Sequence, residues 1–246
     1  MQLTQIIFTA LAFPAVSAFA PPSTKTSSAT QLNVATGNNN DNLNGWKPDS
    51  SKFAYGLPGT LDPINDFDPL GFAENADLNQ MKAYRESETI HGRVAMLAVL
   101  GFLVTEQPFS FHPLFDTAGK DIGPAIRHLD EVRASTPFFF EVLAILIGGA
   151  ETLRALKGWA APGNEENLTL KEGYYPGDIG FDPFGLKPDN FEDFSAMSTK
   201  ELQNGRLAML GVAGIVAQEL LNGKEIFVNF GLAPDTFDPT SLPVTF

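Results

Sequence analysis

The chain has 246 residues, of which 43% are hydrophobic and only 18% are charged, and its formal net charge is −13. Phosphate backbones repel an acidic chain, so this charge argues against a nucleic-acid partner. The sequence contains no cysteine, which excludes disulfides, zinc–thiolate sites and thiol catalysis. A chain of this length holds one domain, with or without processed segments.

The N-terminal part of the chain is typical of targeting segments and not of a folded domain. A largely apolar run over residues 6–13 leads to small residues at 16–18, in the form of a signal-peptidase site. This run is too short to span a bilayer. A stretch rich in Ser and Thr follows. We predict a signal peptide over residues 1–18, a transit-like segment over 19–32 and a folded domain over 33–246, with an ordinary secretory signal as the alternative.

Three later segments are predicted to form long helices, at about residues 82–104, 137–156 and 199–221. The first and third contain uninterrupted apolar runs of only 11 residues, a length that by itself favours buried core helices. With their polar first turns included, they reach 23 residues, enough to cross about 30 Å of hydrocarbon. We therefore predict an all-α membrane protein with three transmembrane helices, provided that the charges in those turns are neutralised.

Short amphipathic surface helices are expected to accompany the three long ones. In residues 121–132 the apolar side chains Ile122, Ala125, Ile126 and Leu129 follow one stripe of a helix. Such a stripe indicates a helix lying at the membrane face.

The first and third segments repeat one pattern. Glu-x-x-His-x-Arg-x-Ala-Met-Leu at residues 88–97 recurs as Glu-x-x-Asn-x-Arg-x-Ala-Met-Leu at 201–210, with every position shifted by 113. The loop "FDPLGF" at 67–72 recurs as "FDPFGL" at 181–186. A duplication that includes a loop and its helix is stronger evidence than a single motif. It predicts that the first and third helices cross and are related by an internal pseudo-two-fold axis along the membrane normal.

The duplicated charges are predicted to cancel across this axis. Residues five apart on one helix point about 140° from each other, so each glutamate is poorly placed to pair with the arginine of its own helix. Across the axis, Glu88 can reach Arg206 and Glu201 can reach Arg93. An uncompensated member of such a pair would cost about 3–5 kcal/mol. Two reciprocal ion pairs are therefore expected where the helices cross.

Ion pairing does not explain His91 and Asn204, which follow the two glutamates by three residues on nearly the same helix face. Polar groups inside a membrane are functional-site candidates, and oxygen and nitrogen donors suit a hard cation such as magnesium. A magnesium tetrapyrrole needs one axial protein ligand per molecule, so scattered single donors suffice. This reasoning predicts pigment binding at Glu88, His91, Glu201 and Asn204.

The doubled helix motif and the doubled Phe-Asp-Pro loop resemble those of light-harvesting chlorophyll-binding proteins, most closely the fucoxanthin chlorophyll a/c antennae of diatoms. The resemblance covers about residues 45–240. It implies ion-pair roles for Arg93, Arg206 and Arg154. The only metal expected is the magnesium of chlorophyll, and the axial ligands that the resemblance implies for it are Glu88, His91, Glu201, Asn204, Gln218 and Glu151. The family often has a further ligand, a glutamine, at the position of Leu143. Here the nearby Glu141 is expected to take its place.

The resemblance also implies the other pigments. A carotenoid is expected in each groove of the helix cross, with Asp68 and Asp182 of the two loops near the carotenoid head groups. The expected pigments are chlorophyll a, chlorophyll c, fucoxanthin and another xanthophyll of the diadinoxanthin kind. The histidine that green-lineage members carry on a C-terminal amphipathic helix has no counterpart after Lys224. Glycines at positions 101, 148, 149, 211 and 214 suit both flat pigments and close helix crossing.

Location and partners follow from the same resemblance. The stretch "SAFAP" at residues 17–21 resembles the bipartite presequence that directs import into the complex plastids of diatoms. The implied protein is a multi-pass subunit of the thylakoid membrane that passes excitation energy to a photosystem. Its expected partners are a photosystem core, neighbouring antenna subunits within an oligomer or supercomplex, and thylakoid lipids. No catalytic residue is expected.

Three other functions compete with the antenna. A carboxylate di-iron enzyme would explain Glu-x-x-His at residues 88–91, but the second copy has Asn204 in place of histidine and each copy has an arginine that would repel a dimetal centre. A transporter lacks a polar face that continues across the helices. A photoprotective relative that dissipates excitation would share the fold and the ligands, so it is the alternative that the sequence leaves open.

Overall fold

In a computed structural model of the chain, the described residues are 43–63, 65–114, 123–161 and 169–236. The predicted signal peptide and transit-like segment lie outside these ranges. The regular secondary structure of the described part consists of helices, apart from one isolated antiparallel bridge between Trp159 and Leu170. The chain is therefore all-helical where the structure describes it, as the sequence predicts.

Three long helices correspond to the three predicted segments. They are α1 (Leu78–Thr105), α3 (Phe139–Gly158) and α4 (Phe191–Asn222). Short helices complete the set: 3-10 turns at Phe53–Gly56 and Ala125–Arg127, α2 (His128–Ser135) and α5 (Ile226–Asn229). The turn at 125–127 and α2 occupy the segment for which a short surface helix is predicted.

Helices α1 and α4 begin earlier than their apolar runs because side chains cap them. Asp77 accepts a hydrogen bond from the backbone N–H of Gln80, and Asn190 accepts bonds from the N–H groups of residues 192 and 193. Such caps satisfy amides that have no partner within the helix. At the other end of α4, Gly223 takes the left-handed conformation that commonly ends a helix.

One described helix, α1, has the length and apolar composition to cross a membrane on those two criteria alone. Helix α3 is shorter and carries Glu141, Glu151, Arg154 and Lys157 within its 20 residues. A membrane-crossing role for α3 and α4 therefore depends on whether their charged side chains are neutralised by partners.

The crossing point of α1 and α4 is a contact between two glycines that are equivalent in the repeat. A Cβ atom placed on Gly92 would lie 3.0 Å from the Cα of Gly205, and one placed on Gly205 would lie 2.9 Å from the Cα of Gly92. The two backbones touch here, at residues that occupy equivalent positions in the repeated motif. Small residues permit such an approach of helices.

For five other glycines the sequence left two uses open, flat pigments and close helix crossing, and the structure shows no close crossing at them. A Cβ atom at position 101, 148, 149 or 214 would meet nothing within 4 Å, and one at Gly211 would meet only Val99, at 3.8 Å. These glycines leave open space beside the helices instead. Composition did not distinguish them from Gly92 and Gly205, because the distinction depends on where the two helices touch.

Apolar side chains on the flanks of the helices are largely uncovered. Leu97 of α1, Ile145 of α3 and Leu210 of α4 are 71%, 74% and 75% exposed. The compact apolar cluster lies instead near the N-terminal end of α1, where Trp46, Leu57 and Met81 pack with Tyr175. Soluble proteins rarely leave apolar faces of this extent open to water, so these flanks require another apolar covering.

We predict that Gly92→Ala destabilises the protein by about 1–3 kcal/mol, the usual cost of overpacking, because the added methyl group would meet the backbone of Gly205. Thermal melting of the purified protein measures this loss. Gly211→Ala, on the same pair of helices but with an ordinary 3.8 Å neighbour, is the matched control. A melting temperature that falls as far for the control as for Gly92→Ala would refute the crossing contact.

Candidate pigment-binding site

Two reciprocal ion pairs join α1 and α4 on either side of the glycine contact. In the first cross pair, Arg93 Nε lies 2.6 Å from Glu201 Oε1. In the second cross pair, Arg206 Nε lies 2.7 Å from Glu88 Oε1. The structure thus contains both of the pairs that the duplicated motif predicts. All four charges are matched across the axis, and none is matched within its own motif.

Each of these arginines also holds a loop. Arg93 Nη1 donates to the carbonyl oxygen of Gly177 at 2.8 Å, and Arg206 Nη1 donates to that of Gly59 at 2.7 Å. The planar guanidinium therefore binds a carboxylate on the opposite helix and a loop carbonyl at once. As a result, the cross pairs also fix the chain that leads into each Phe-Asp-Pro loop.

These loop contacts were not predicted from the sequence, although the sequence contains a signal for them. A Pro-Gly pair precedes each Phe-Asp-Pro loop, at residues 58–59 and 176–177. Both glycines have positive φ angles, +131° and +85°, a conformation that favours glycine. The duplicated Pro-Gly extends the repeat upstream and would have indicated that these backbone positions are special.

Glu88 has a second cation that Glu201 lacks. Arg85 Nε lies 3.2 Å from Glu88 Oε2, and Arg85 also donates to the carbonyl oxygen of Pro58. The residue equivalent to Arg85 in the repeat is Ser198. The charge pattern around the two carboxylates is therefore not symmetric, although the cross pairs are.

His91 and Asn204 are held in the same way in the two copies of the motif. His91 Nδ1 lies 2.8 Å from the carbonyl oxygen of Ser87, and Asn204 Nδ2 donates to the carbonyl oxygen of Lys200 at 2.9 Å. Each bond runs to the residue four positions earlier. Since a carbonyl oxygen only accepts, this contact favours the His91 tautomer that carries its proton on Nδ1 and has its lone pair on Nε2.

The atoms left over at these two residues are acceptors. No hydrogen bond from the described residues reaches His91 Nε2 or Asn204 Oδ1, and both side chains are exposed. A histidine whose Nδ1 binds a backbone carbonyl is the usual form of a metal-ligating histidine. Each copy of the motif thus presents one neutral ligand atom to the surroundings of the helix.

Helix α3 carries a third carboxylate–arginine pair. Arg154 Nε lies 2.8 Å from Glu151 Oε2, as the sequence predicts, and Glu151 remains half-exposed. Arg154 Nη1 also lies 2.7 Å from Oε1 of Glu86 on α1, which is almost fully buried. Glu86 was not predicted as a site residue, because the repeat has Thr199 at the equivalent position.

The remaining candidate ligands lie apart from these groups. The side-chain nitrogen of Gln218 is buried and has no hydrogen-bond partner among the described residues. Glu141 lies in the first turn of α3 and is exposed. In the described ranges, no three His, Asp or Glu side chains are grouped so as to hold a metal ion. The candidate site is accordingly a set of separate single donors.

The aspartates of the two Phe-Asp-Pro loops shape those loops. The Asp68 carboxylate accepts from the backbone N–H groups of the fourth and fifth residues after it, at 3.1 and 2.6 Å. Asp182 does the same at 3.0 and 2.8 Å. These bonds from the Lys187 and Leu186 amides lower the pKa of Asp182 because they favour the charged form. Each carboxylate therefore closes a turn in its own loop, and the two turns have the same hydrogen-bond pattern.

A cavity adjoins each cross pair. The cavity beside the first cross pair has a volume of about 240 Å³ and is lined by Asp182 and Phe181 of the second loop. The cavity beside the second cross pair has a volume of about 610 Å³ and is lined by Asp66 and Phe67 of the first loop. Asp68, the sequence equivalent of Asp182, does not line this second cavity, whereas Asp66 does.

Comparison with known proteins agrees with this geometry. The family model described as chlorophyll A-B binding protein matches residues 53–220, which include both loops and all three long helices almost to the end of α4. The chain belongs to the chlorophyll a/b-binding protein family.

Relatives of this chlorophyll-binding protein are 33–48% identical to it over 71–75% of its length. The light-harvesting complex stress-related protein 3.2 of Chlamydomonas reinhardtii is 48% identical over 183 residues, 73% of this chain and 70% of the relative. A fucoxanthin-chlorophyll a-c binding protein of Isochrysis galbana is 47% identical over 178 residues, 71% of this chain and 81% of the relative. Chlorophyll a-b binding protein 4 of Arabidopsis thaliana is 33% identical over 190 residues, 75% and 70% of the two chains.

The residues present fit the pigment that the family implies. A chlorophyll needs one neutral or neutralised ligand atom and an apolar surface for its ring. His91 Nε2 and Asn204 Oδ1 are such atoms, and the glutamates bonded to arginine are neutralised as pairs. The open space beside Gly101 and Gly214 and the exposed flank at Leu97 and Leu210 supply the surface.

We predict that Arg93→Leu lowers stability more than Arg206→Leu does. Among the described residues, Arg93 is the one cation paired with Glu201, whereas Glu88 would keep Arg85. Leaving a charge without a partner in a low-dielectric site costs about 3–5 kcal/mol. Melting temperatures of the purified variants test this order, with Lys52→Leu, at an exposed surface ion pair, as the control. Equal losses for the two arginine variants would contradict it.

Proposed function

We propose that this protein is a light-harvesting antenna subunit whose three long helices cross the thylakoid membrane and hold chlorophylls and carotenoids at set positions. One observation carries the proposal above the others. In both copies of the motif, a side chain three residues after the paired glutamate is anchored to the backbone one turn earlier and keeps a free ligand atom. A duplicated core contact would not require a duplicated free acceptor.

The bound chlorophylls absorb light and exchange excitation, and the chain determines where they lie. The proposed axial ligands are the side chains of seven residues, namely Glu88, His91, Glu201, Asn204, Gln218, Glu151 and Glu141. The first five belong to α1 and α4, and the last two to α3. No residue makes or breaks a bond, so we assign no catalytic role.

The arginines make the glutamate ligands compatible with the membrane. A lone carboxylate in hydrocarbon is costly, but a carboxylate bonded to a guanidinium is neutral as a pair and retains lone pairs. Glu201 uses Oε1 for Arg93, which leaves Oε2 for a ligand role. Glu151 uses Oε2 for Arg154, which leaves Oε1. The same pairing supports the proposal that α3 and α4 cross the membrane despite their charges.

Carotenoids are proposed for the two cavities beside the cross pairs. Asp182 and Phe181 line one and Asp66 and Phe67 line the other, so each cavity has a polar group near a ring at its edge. Such a site suits a long apolar molecule with a polar head group. The similarity to a fucoxanthin-chlorophyll a-c binding protein favours fucoxanthin and chlorophyll c beside chlorophyll a, with a further xanthophyll of the diadinoxanthin kind.

The location and partners are proposed on the same basis. The relatives are named chloroplastic, which favours a plastid protein imported through the bipartite presequence and placed in the thylakoid. A photosystem core and neighbouring antenna subunits would receive the excitation energy, and thylakoid lipids would cover the remaining apolar flanks. Assembly into an oligomer or supercomplex is part of this proposal.

Dissipation of absorbed energy is a second candidate function. The similarity at 48% identity to proteins named stress-related favours it, and the same ligands would serve both functions. The fluorescence lifetime of the isolated protein decides between them. A long-lived emitter is the result expected for the antenna, and a strongly shortened lifetime in the isolated subunit would favour dissipation.

We predict that the protein purified with its native pigments contains chlorophyll, and that His91→Leu removes one chlorophyll per polypeptide because the Nε2 ligand is lost. Asn204→Leu should do the same at the equivalent position. Chromatography of the extracted pigments measures both. His128→Leu, the same change at a histidine that lies outside the duplicated motif, is the control and should keep the full complement. A colourless native protein, or unchanged pigment in both ligand variants, would refute the proposed sites.

A further inference from the structure

We propose that Glu86 is a positioning residue that holds the pigment-binding carboxylate of α3 at a set place relative to the crossed helices α1 and α4. This inference rests on the proposed role of Glu151 as a chlorophyll ligand. It concerns a residue that the duplicated motif does not contain and that would not itself touch a pigment.

Glu86 is the most heavily bonded carboxylate of α1. It is only 2% exposed, and its oxygens accept hydrogen bonds from Arg154 Nη1 at 2.7 Å, from the Tyr174 hydroxyl at 3.2 and 3.3 Å, and from the backbone N–H of Gly177. Burial and the charge of Glu86 raise the pKa of Tyr174, so Tyr174 stays a neutral donor. The three donors belong to α3 and to the segment before the second Phe-Asp-Pro loop.

These bonds connect two proposed ligands through Glu86. Towards α3, Arg154 bonds both Glu86 and Glu151, at 2.7 and 2.8 Å. Towards the helix cross, Gly177 donates its N–H to Glu86 and accepts at its carbonyl oxygen from Arg93, at 2.8 Å, which is in turn bonded to Glu201. A continuous hydrogen-bonded path thus runs from Glu201 to Glu151.

The path matters because α3 has little other contact with the helix cross. Side chains such as Ile145, Leu146 and Leu153 on α3 are 74%, 66% and 71% exposed. Near its C-terminal end, α3 is tied to a loop by the bridge between Trp159 and Leu170. The bond from Arg154 to Glu86 is a direct side-chain bond between α3 and α1, and it lies one turn from Glu151.

The geometry of the guanidinium explains how Glu86 acts on Glu151. A guanidinium offers its donors in a rigid planar fork, so an arginine bonded to two carboxylates cannot turn without breaking one bond. Glu86 is buried and fixed, whereas Glu151 is half-exposed. Removing the Glu86 carboxylate would free Arg154 to rotate and would release Glu151 and its ligand oxygen from the helix cross.

The path exists on one side of the repeat only. The residue equivalent to Glu86 is Thr199 on α4, which has no carboxylate to offer a third helix. This asymmetry provides a matched control, because Thr199→Ala alters the equivalent position without altering the path.

The test uses the full chain reconstituted with the pigment extract of its native membrane, and it measures chlorophyll per polypeptide and the visible circular dichroism spectrum. Glu151→Leu, which removes the ligand oxygens, should lose one chlorophyll, with a defined change in the spectrum. Glu86→Gln should reproduce that change and that loss, since an amide places an N–H₂ group among donors. Glu86→Asp, which keeps the charge, should restore pigment binding at least in part, and Thr199→Ala should leave both readouts unchanged.

The double variant separates positioning from general folding. If Glu86 acts through Glu151, adding Glu86→Gln to Glu151→Leu should cause no further pigment loss. A further loss, an unchanged spectrum in Glu86→Gln, or failure of both Glu86 variants to assemble would overturn the inference. If Glu151→Leu keeps every chlorophyll, the proposed ligand role of Glu151 fails. That outcome is distinct from a failure of the inference about Glu86, which an unchanged Glu86→Gln complex would show.

Discussion

The structure depends on two ion pairs placed on either side of a contact between two glycines. Glycine at positions 92 and 205 lets the backbones of α1 and α4 touch, and beside this contact the side chains of Arg93 and Arg206 bond the opposite glutamates. The pairing in turn makes charged helices acceptable to a low-dielectric medium, because each charge has a partner. The glycine contact and the two ion pairs together join α1 to α4.

The rest of the site is built outward from that cross. Each cross arginine donates a second hydrogen bond to a loop carbonyl oxygen. These bonds hold the Pro-Gly turns, and with them the chain that leads into the Phe-Asp-Pro loops, against the helices. His91 and Asn204 use their donors on the backbone of the preceding turn. What remains is a set of acceptor atoms on exposed flanks, a pattern that suits pigments with one axial ligand each.

The two halves of the repeat have also diverged. Glu88 has Arg85 as a second cation, whereas Glu201 has Ser198 at the equivalent position. Glu86 links one half to α3 through Arg154, and Thr199 provides no such link in the other half. The two halves therefore have different polar surroundings, although the cross pairs between them are equivalent.

The sequence by itself determined the helices, the repeat and the identity of the ion-pair partners. Periodicity and duplication are local or pairwise properties of the chain, so Glu88 with Arg206, Glu201 with Arg93 and Glu151 with Arg154 could be predicted from spacing and resemblance. The helix ends were less accessible, because Asp77 and Asn190 extend α1 and α4 beyond their apolar runs through capping bonds.

Only the tertiary structure decided which glycines touch and which carboxylate joins the third helix. Glycines at 101 and 214 resemble Gly92 and Gly205 in sequence, but the crossing point selects the latter pair. Glu86 has no counterpart in the repeat, and its partners Arg154, Tyr174 and Gly177 are 68, 88 and 91 residues away. Contacts between such distant residues depend on how the helices and loops pack, which spacing along the chain does not encode.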